Sequence, residues 1–457
     1  MKVLLVSPNV ESLPDPVFPL GLSYIAAALN NNQTECQVLD LCFVQDFETA
    51  IKSALDAFQP DIVGLSLRNL DNVSYPNYVS YLPFYRQVVQ AIRRQSRARI
   101  VVGGSGFSLM PDEVLAYLNA DFGIAGEAEL SFVQFMNQLD GKKDHREDRK
   151  PVIMDYYSQR TENLDDVPLP DRSRFDNETY LKWGGMGNIQ TKRGCPFRCI
   201  YCSYPIIEGK KVRLRDPGRI CDEIESMLEN GTNSLFFVDN AFNYPIKHAQ
   251  SVCREIISRK LDMRWSCYAN PGFVTEELID LMLAAGCTGV EFGSDAANET
   301  MLSNLGKGFT VHDLQSASSI CRRSGMSFCH SLLLGGPGET MKTVHQTLDM
   351  IIDMSPTAVI CMIGIRVFPK TSLSLIATKE GMIDPGAHFP KPVFYLSPAI
   401  ENEILPFIEK FSRKNPTWIF PGLNININVE LQKKLRRFGV KGPLWEHMKV
   451  GERFRKR

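Results

Sequence analysis

Short runs of consecutive apolar residues alternate with longer amphipathic stretches over the first third of the chain. This is the pattern of a parallel sheet buried under helices on both faces. The runs Lys2–Ser7, Cys36–Leu41, Asp61–Ser66, Arg99–Val102 and Asp121–Ala125 predict strands, and Leu20–Leu29, Phe47–Phe58, Pro83–Gln95 and Pro111–Leu118 predict the helices between them. Such strand–helix units make a doubly wound α/β domain, which takes its ligands at the C-terminal ends of the strands. The alternation stops at the mixed-charge run Gly141–Arg149 (GKKDHREDR) and the proline-bearing stretch Asp165–Arg174, which together predict a linker. It resumes near residue 186, with strands predicted at Gly187–Thr191, Ser234–Val238, Met263–Tyr268, Gly289–Gly293, Ser327–Leu334 and Val359–Val367. A row of βα units this long suits an open or partial barrel better than a second small flat sheet. The predicted organisation is an α/β domain over 1–140, a linker over 141–185, a partial barrel over 186–378 and a C-terminal extension of unassigned role over 379–457.

Composition narrows the partners. The 457 residues are 44% hydrophobic and 23% charged with a formal net charge of −1, so no global field draws the protein to nucleic acid or an anionic membrane. The basic stretches near the end (KKLRRFGVKG and GERFRKR) read as solvated surface. The first apolar run meets Pro8 and then Pro14, Pro16 and Pro19, which fits neither a signal peptide nor a membrane span and predicts a cytoplasmic protein. Twelve cysteines without a secretory signal predict reduced thiols, some of them metal ligands.

Three of those thiols are crowded together. Gly194-Cys195-Pro196-Phe197-Arg198-Cys199-Ile200-Tyr201-Cys202 follows a predicted strand directly. Soft thiolates suit an iron–sulfur cubane, and three of them leave one iron open. No further cysteine follows until Cys221 and no histidine lies nearby, so the set is incomplete for a structural zinc site.

This C-x3-C-x2-C spacing, with the aromatic Tyr201 before the third cysteine, resembles the radical S-adenosylmethionine (SAM) superfamily over roughly residues 186–375. The resemblance implies a partial (β/α)6 barrel and a [4Fe–4S] cluster on Cys195, Cys199 and Cys202. It also implies SAM chelated at the open iron and cleaved to a 5′-deoxyadenosyl radical, with a reductase or flavodoxin-type electron donor. Asp239 and Asn240 resemble the second-strand segment near the SAM amine, although Asp239 also suits a turn cap. Glu291 and Ser294 end a strand in groups able to contact ribose or carboxylate, and Glu291, between Val290 and Phe292, faces the lumen if strand parity holds. Gly335 and Gly336 resemble the glycine-rich turn near the SAM adenosine, and a tight strand-to-helix reversal explains them as well. His330 reads as a core histidine rather than a base.

The first domain adds a second resemblance. Phe18-Pro19-Leu20-Gly21-Leu22-Ser23-Tyr24, the segment Val102-Gly103-Gly104-Ser105-Gly106-Phe107 with Pro111 beyond it, and Gly126-Glu127-Ala128-Glu129 are similar, in order, to segments of the cobalamin-dependent radical SAM group. The resemblance implies cobalamin near Arg68, Gly103, Gly104, Ser105, Gly106 and Glu127. Residues 1–144 contain no histidine, so the lower face of a corrin meets no protein imidazole, and Arg68 is the candidate for that face. The leading expectation is methylation of an unactivated carbon in a small metabolite, natural product or lipid. A non-methylating rearrangement, cyclisation or oxidation is the alternative. An RNA methylthiolation enzyme, which calls for more N-terminal cysteines than Cys36 and Cys42, and a non-catalytic cofactor-binding protein are readings from other classes.

Overall fold

The structure is a computed structural model and describes residues 1–140, 151–157, 159–384 and 391–448; the run Gly141–Arg149 and the final basic segment GERFRKR lie outside the described residues. The first sheet contains β1 (Lys2–Ser7), β2 (Glu35–Asp40), β3 (Ile62–Ser66), β4 (Arg99–Gly103), β5 (Phe122–Ala125) and β6 (Val152–Asp155), all parallel, in the order β2-β1-β3-β4-β5-β6. Alternation sorts its side chains between two cores. Val3 and Leu5 pack with Leu22, Ala26 and Phe132 on one face, while Leu4 and Val6 pack with Ile51, Val88 and Val114 on the other. The strand order reverses between β1 and β3, so the crevice of the sheet opens at their C-terminal tips. The expected linker differs from a bare connection, because β6 lies within it and extends the sheet. Its residues are half-buried or exposed, so no apolar run announces it.

The second sheet is built from β7 (Gly187–Ile189), β8 (Ser234–Phe237), β9 (Arg264–Ala269), β10 (Cys287–Asp295), β11 (Ser327–Leu334), β12 (Ala358–Ile363) and β13 (Trp418–Ile419). These strands are parallel and neighbour one another in chain order, the topology of a partial barrel. The C-terminal extension supplies β13, and the long last strand expected over 359–367 is broken at Gly364 (φ +69°). A Cβ there would stand 3.2 Å from the Tyr75 ring. On the convex face Leu235, Phe237, Trp265, Cys267, Val290, Phe292 and Phe328 are buried beneath the helices. The alternate residues Phe236, Glu291, Ser331 and Leu333 are half-buried and Tyr268 is exposed, so the concave face encloses a lumen.

The C-terminal extension also closes the lower end of that lumen. Thr288 Oγ1 donates to Glu446 Oε1 at 3.2 Å, Ser266 Oγ donates to the same oxygen, and Trp445 packs with Cys329 and Ala358. The two sheets are tied by the segment after β3. Asp71 pairs with Arg366 at 2.9 Å, both almost fully buried, and Asn77 Nδ2 donates to Gly422 O at 2.9 Å.

Candidate cofactor and active site

The cysteine loop leaves β7 through a turn that requires glycine. Gly194 has φ +93°, and a Cβ on it would come 2.1 Å from Lys211 O. The loop is then pinned by Cys195 N donating to Gly209 O at 3.0 Å, Ile200 N to Leu305 O at 3.0 Å and Cys202 N to Cys199 O at 3.2 Å. Burial raises the pKa of all three thiols, Cys202 to about 12; Cys199 further raises Cys195, and both raise Cys202, so they share one pocket. Donors aim at their sulfurs: the N–H groups of Phe197 and Tyr204 at Cys195 and Cys202, and the Lys307 ammonium at Cys199. That is a fit to a cluster, since a cubane supplies the positive charge that ionises its thiols and N–H donors stabilise the sulfurs. Among the described residues no three His, Cys, Asp or Glu side chains gather as a single-ion site would need. A cubane asks for a wider triangle, because each thiolate binds a different iron. Beside the loop, Lys307 Nζ lies 2.6 Å from Asp295 Oδ2, and the Tyr201 hydroxyl donates to the same oxygen. Asp295 ends β10 in a left-handed conformation (φ +62°).

The first domain grips the residues around the loop through Glu127 and Glu129. Arg193, two residues before Cys195, pairs with Glu129 at 2.6 Å and Glu127 at 3.5 Å; Arg213 Nη1 donates to Glu127 Oε2 at 2.9 Å. Burial works against ionisation of Glu127, but Arg213 and Arg193 outweigh it and lower its pKa. On the other flank Arg160 Nη2 donates to Ile206 O at 2.8 Å, and Glu208 Oε2 accepts from Gly194 N at 3.0 Å and Asn240 Nδ2 at 3.1 Å. Glu127, expected beside cobalamin, is therefore spent on the cysteine loop. Arg193, Glu208 and Lys307 had not been singled out; the adjacency of Arg193 to the cysteines was the available signal.

The expected SAM residues divide. Asp239 is 1% exposed and accepts from Thr191 N at 2.7 Å, Thr191 Oγ1 at 2.6 Å and Lys192 N at 3.2 Å, so it fastens the chain between β7 and the cysteines. These partners precede the cysteines and do not belong to the turn after Asp239, so a turn cap does not describe it. Ser294 is fully buried and hydrogen-bonds His330 Nδ1 at 2.7 Å; His330 also meets Ser318 Oγ at 3.1 Å, and burial holds its pKa down at about 3, as a neutral core residue. Gly335 and Gly336 are buried, and their N–H groups both point to Glu339 Oε2. Cβ atoms on them would strike Leu396 at 2.5 Å and Leu305 at 2.9 Å, so these glycines serve a tight reversal. Asn240 is half-buried beside Glu208 at the strand end. Glu291 lies inside the lumen.

At the tips of the first sheet the loops after β3 and β4 are stitched together. Leu67 N donates to Gly103 O at 2.8 Å, Gly106 N to Leu67 O at 2.9 Å and Ser105 Oγ to Arg68 O at 2.8 Å. Gly104 (φ +97°) would place a Cβ 2.6 Å from Leu67 O, and Gly106 one 3.0 Å away, so the close approach they permit is to this loop. Gly103 and Gly104 also line an apolar recess with Leu5, Leu22, Gly64 and Phe132. Arg68 is exposed, and its side chain has no hydrogen bond or ion pair among the described residues. Its charge reaches Tyr204 just after the cysteines and Tyr268 in the lumen, partly offsetting the rise in pKa that burial imposes on the first and Glu291 on the second. Helix Ser105–Leu109 packs beside Tyr204–Ile207. The glycine-lined tips and the segment after the cysteines thus lie side by side.

Comparison with known proteins agrees with both halves. The Radical SAM superfamily matches residues 189–351, and the B12 binding domain matches residues 6–136. The tryptophan 2-C-methyltransferase of Streptomyces laurentii is 26% identical over 442 residues, covering 81% of this chain and 74% of its own. The hopanoid C-2 methylase of Rhodopseudomonas palustris is 24% identical over 67% of this chain and 58% of its own. The radical SAM methyltransferase TsrM from Kitasatospora setae, solved with cobalamin and a [4Fe–4S] cluster bound, superposes with a TM-score of 0.88 at 25% identity, covering 100% of this chain and 98% of that one. With a B12-binding domain leading into a radical SAM domain, the chain is a cobalamin-dependent radical SAM enzyme.

Proposed function

We propose that this enzyme transfers a methyl group from SAM to a carbon atom of a small-molecule substrate held in the barrel lumen. The observation that carries this reading is the juxtaposition of Arg68 and the Gly103–Gly106 loop with Tyr204, just after the three cysteines. The related tryptophan 2-C-methyltransferase and hopanoid C-2 methylase support carbon as the acceptor. When bound, the cluster supplies the electron that cleaves SAM and the cobalamin supplies a methyl carrier.

The protein's own contribution is positioning. Cys195, Cys199 and Cys202 would hold the cluster, and Asn240 and the Tyr201–Asp295–Lys307 group stand beside their loop. Arg68, Gly103, Gly104 and Ser105 would border a bound cobalamin, and the Arg68 guanidinium, having no lone pair to offer, would not ligate its metal. The lumen, walled by Phe236 and Leu333 and closed below by Trp445 and Glu446, shelters the substrate from water. Reduction of the cluster calls for a reductase or flavodoxin-type donor. All twelve cysteines are free, which supports a reducing, cytoplasmic setting; no described helix is long and apolar enough to cross a membrane.

Anaerobic incubation of the cofactor-loaded protein with SAM, a low-potential reductant and L-tryptophan among a panel of small metabolites tests this. S-Adenosylhomocysteine forming in step with a methylated product is expected. Conversion of a substrate with 5′-deoxyadenosine but no S-adenosylhomocysteine would overturn methyl transfer in favour of rearrangement or oxidation.

A further inference from the structure

The short helix Glu299–Asn304 ends in a reversal that carries a lysine to the cysteine loop. Gly306 (φ +70°) donates its N–H to Ser303 O at 3.0 Å, and Lys307 N donates to Leu302 O at 2.9 Å, the paired bonds by which a left-handed glycine closes a helix. This turn is pressed onto the loop. Leu305 O accepts from Ile200 N at 3.0 Å, and a Cβ on Gly306 would stand 2.5 Å from Arg198 O, so a side chain there would push the two apart. The residues on either side of Cys199 are thus held by the two residues that precede Lys307.

The Lys307 side chain is 7% exposed and lies 5.8 Å from the ring centre of Tyr201 and 5.5 Å from that of Phe309. Its ammonium is 2.6 Å from Asp295 Oδ2, the oxygen to which the Tyr201 hydroxyl also donates, and 3.4 Å from that hydroxyl. Burial raises the pKa of each of the three thiols, and the Lys307 charge counters the rise at all three, with a hydrogen bond to Cys199 besides. Asp295 opposes it at Cys199. An ion pair that only fastened β10 to the turn would not need to stand among three thiols. Here its cation has a further consequence. An electron added to a thiolate-held cluster is one more negative charge in a setting of low dielectric, where a nearby cation acts strongly. Net charge and hydrogen bonds to the sulfurs are what set the potential of such a cluster.

We propose that Lys307 raises the reduction potential of the cluster on Cys195, Cys199 and Cys202 by fixing a positive charge and a hydrogen-bond donor at Cys199, and that Asp295 moderates the effect by balancing part of that charge. The proposal rests on the reading that these cysteines hold the cluster. The step concerned is the passage of one electron from the external donor to the oxidised cluster, with no bond made or broken. With Lys307 in place a weaker reductant suffices.

The test is a redox titration of the cofactor-loaded protein without SAM, with the reduced cluster followed by electron paramagnetic resonance. Lys307→Met should lower the midpoint by about 59 mV or more, a tenfold change in a one-electron equilibrium. Lys307→Arg keeps the charge and should stay near wild type, whereas Asp295→Asn releases the cation and should move the midpoint upward. Loosening of the turn alone gives no reason for the two partners of one ion pair to shift it in opposite directions. Iron content shows whether each variant keeps its cluster. Should Lys307→Met lose it, the sign of the Asp295→Asn shift decides. An unchanged midpoint in Lys307→Met, an equal fall in Lys307→Arg, or no rise in Asp295→Asn would overturn the proposal. Wild type that assembles no cluster would instead overturn the assignment of the cysteines, a result that iron content alone tells apart.

Discussion

Glu339 shows how much one buried carboxyl can weigh. It is fully buried, one oxygen accepts from the N–H groups of Gly335 and Gly336, the other has no partner, and burial raises its pKa from 4.5 to about 7. The folded state thus holds this proton more tightly than the unfolded chain. Its contribution to stability is full below about pH 4.5 and is lost as the pH rises through about 7, a change of roughly 3 kcal/mol. Wild type should lose stability relative to Glu339→Gln between pH 5 and 8 in denaturant titrations, whereas a pH-independent difference would contradict this. Serine substitution of Cys195, Cys199 or Cys202 should abolish most of the iron measured after reconstitution and leave cobalamin binding intact. Retention of full iron by all three variants would exclude them as ligands. At this scale the sequence was legible where chemistry is local. The cysteines, their preceding aromatic residue and the core character of His330 could be read from neighbours in the chain. Asp239 and Ser294 could not, because their partners Thr191 and His330 lie 48 and 36 residues away. A polar residue at a strand tip looks the same whether it faces a ligand or locks a turn.

Among the elements, the clamp on the cysteine loop matters most. The Glu127–Ala128–Glu129 turn after β5 grips Arg193 and Arg213, which flank the three cysteines, so the first domain holds the cluster loop directly. Removing one partner from a buried pair costs about 3–5 kcal/mol, because a charge is left uncompensated. Glu129→Gln should lower stability on that scale and reduce iron retention while cobalamin content is unchanged. Unaltered stability and iron content would show that the clamp does not hold the loop. The strands of both sheets were foreseeable because fully buried parallel strands write continuous apolar runs. β6 and β13 were not, being short edge strands without such runs, added by stretches that read as linker and tail.

For the whole molecule, the two sheets and the C-terminal extension act together. The Asp71–Arg366 pair joins the loop after β3 to the far end of the barrel, and Arg436 reaches back to Asp15 at 2.8 Å. Neutralising one side, as in Asp71→Leu, leaves Arg366 buried without its counter-charge and should cost about 3–5 kcal/mol. Proteolysis between the domains should then accelerate; an unchanged digestion pattern would show that the pair does not hold them together. These joints set the Arg68 loop against the cysteine loop, and the central claim is that this junction holds both cofactors at once. The most direct measurement is the iron and cobalt content and ultraviolet–visible spectrum of protein purified anaerobically from cells grown with cobalamin. Corrin bands together with a cluster shoulder, at about four iron atoms and one cobalt per chain, are the predicted result. Protein that carries its iron but never takes up a corrin would contradict it.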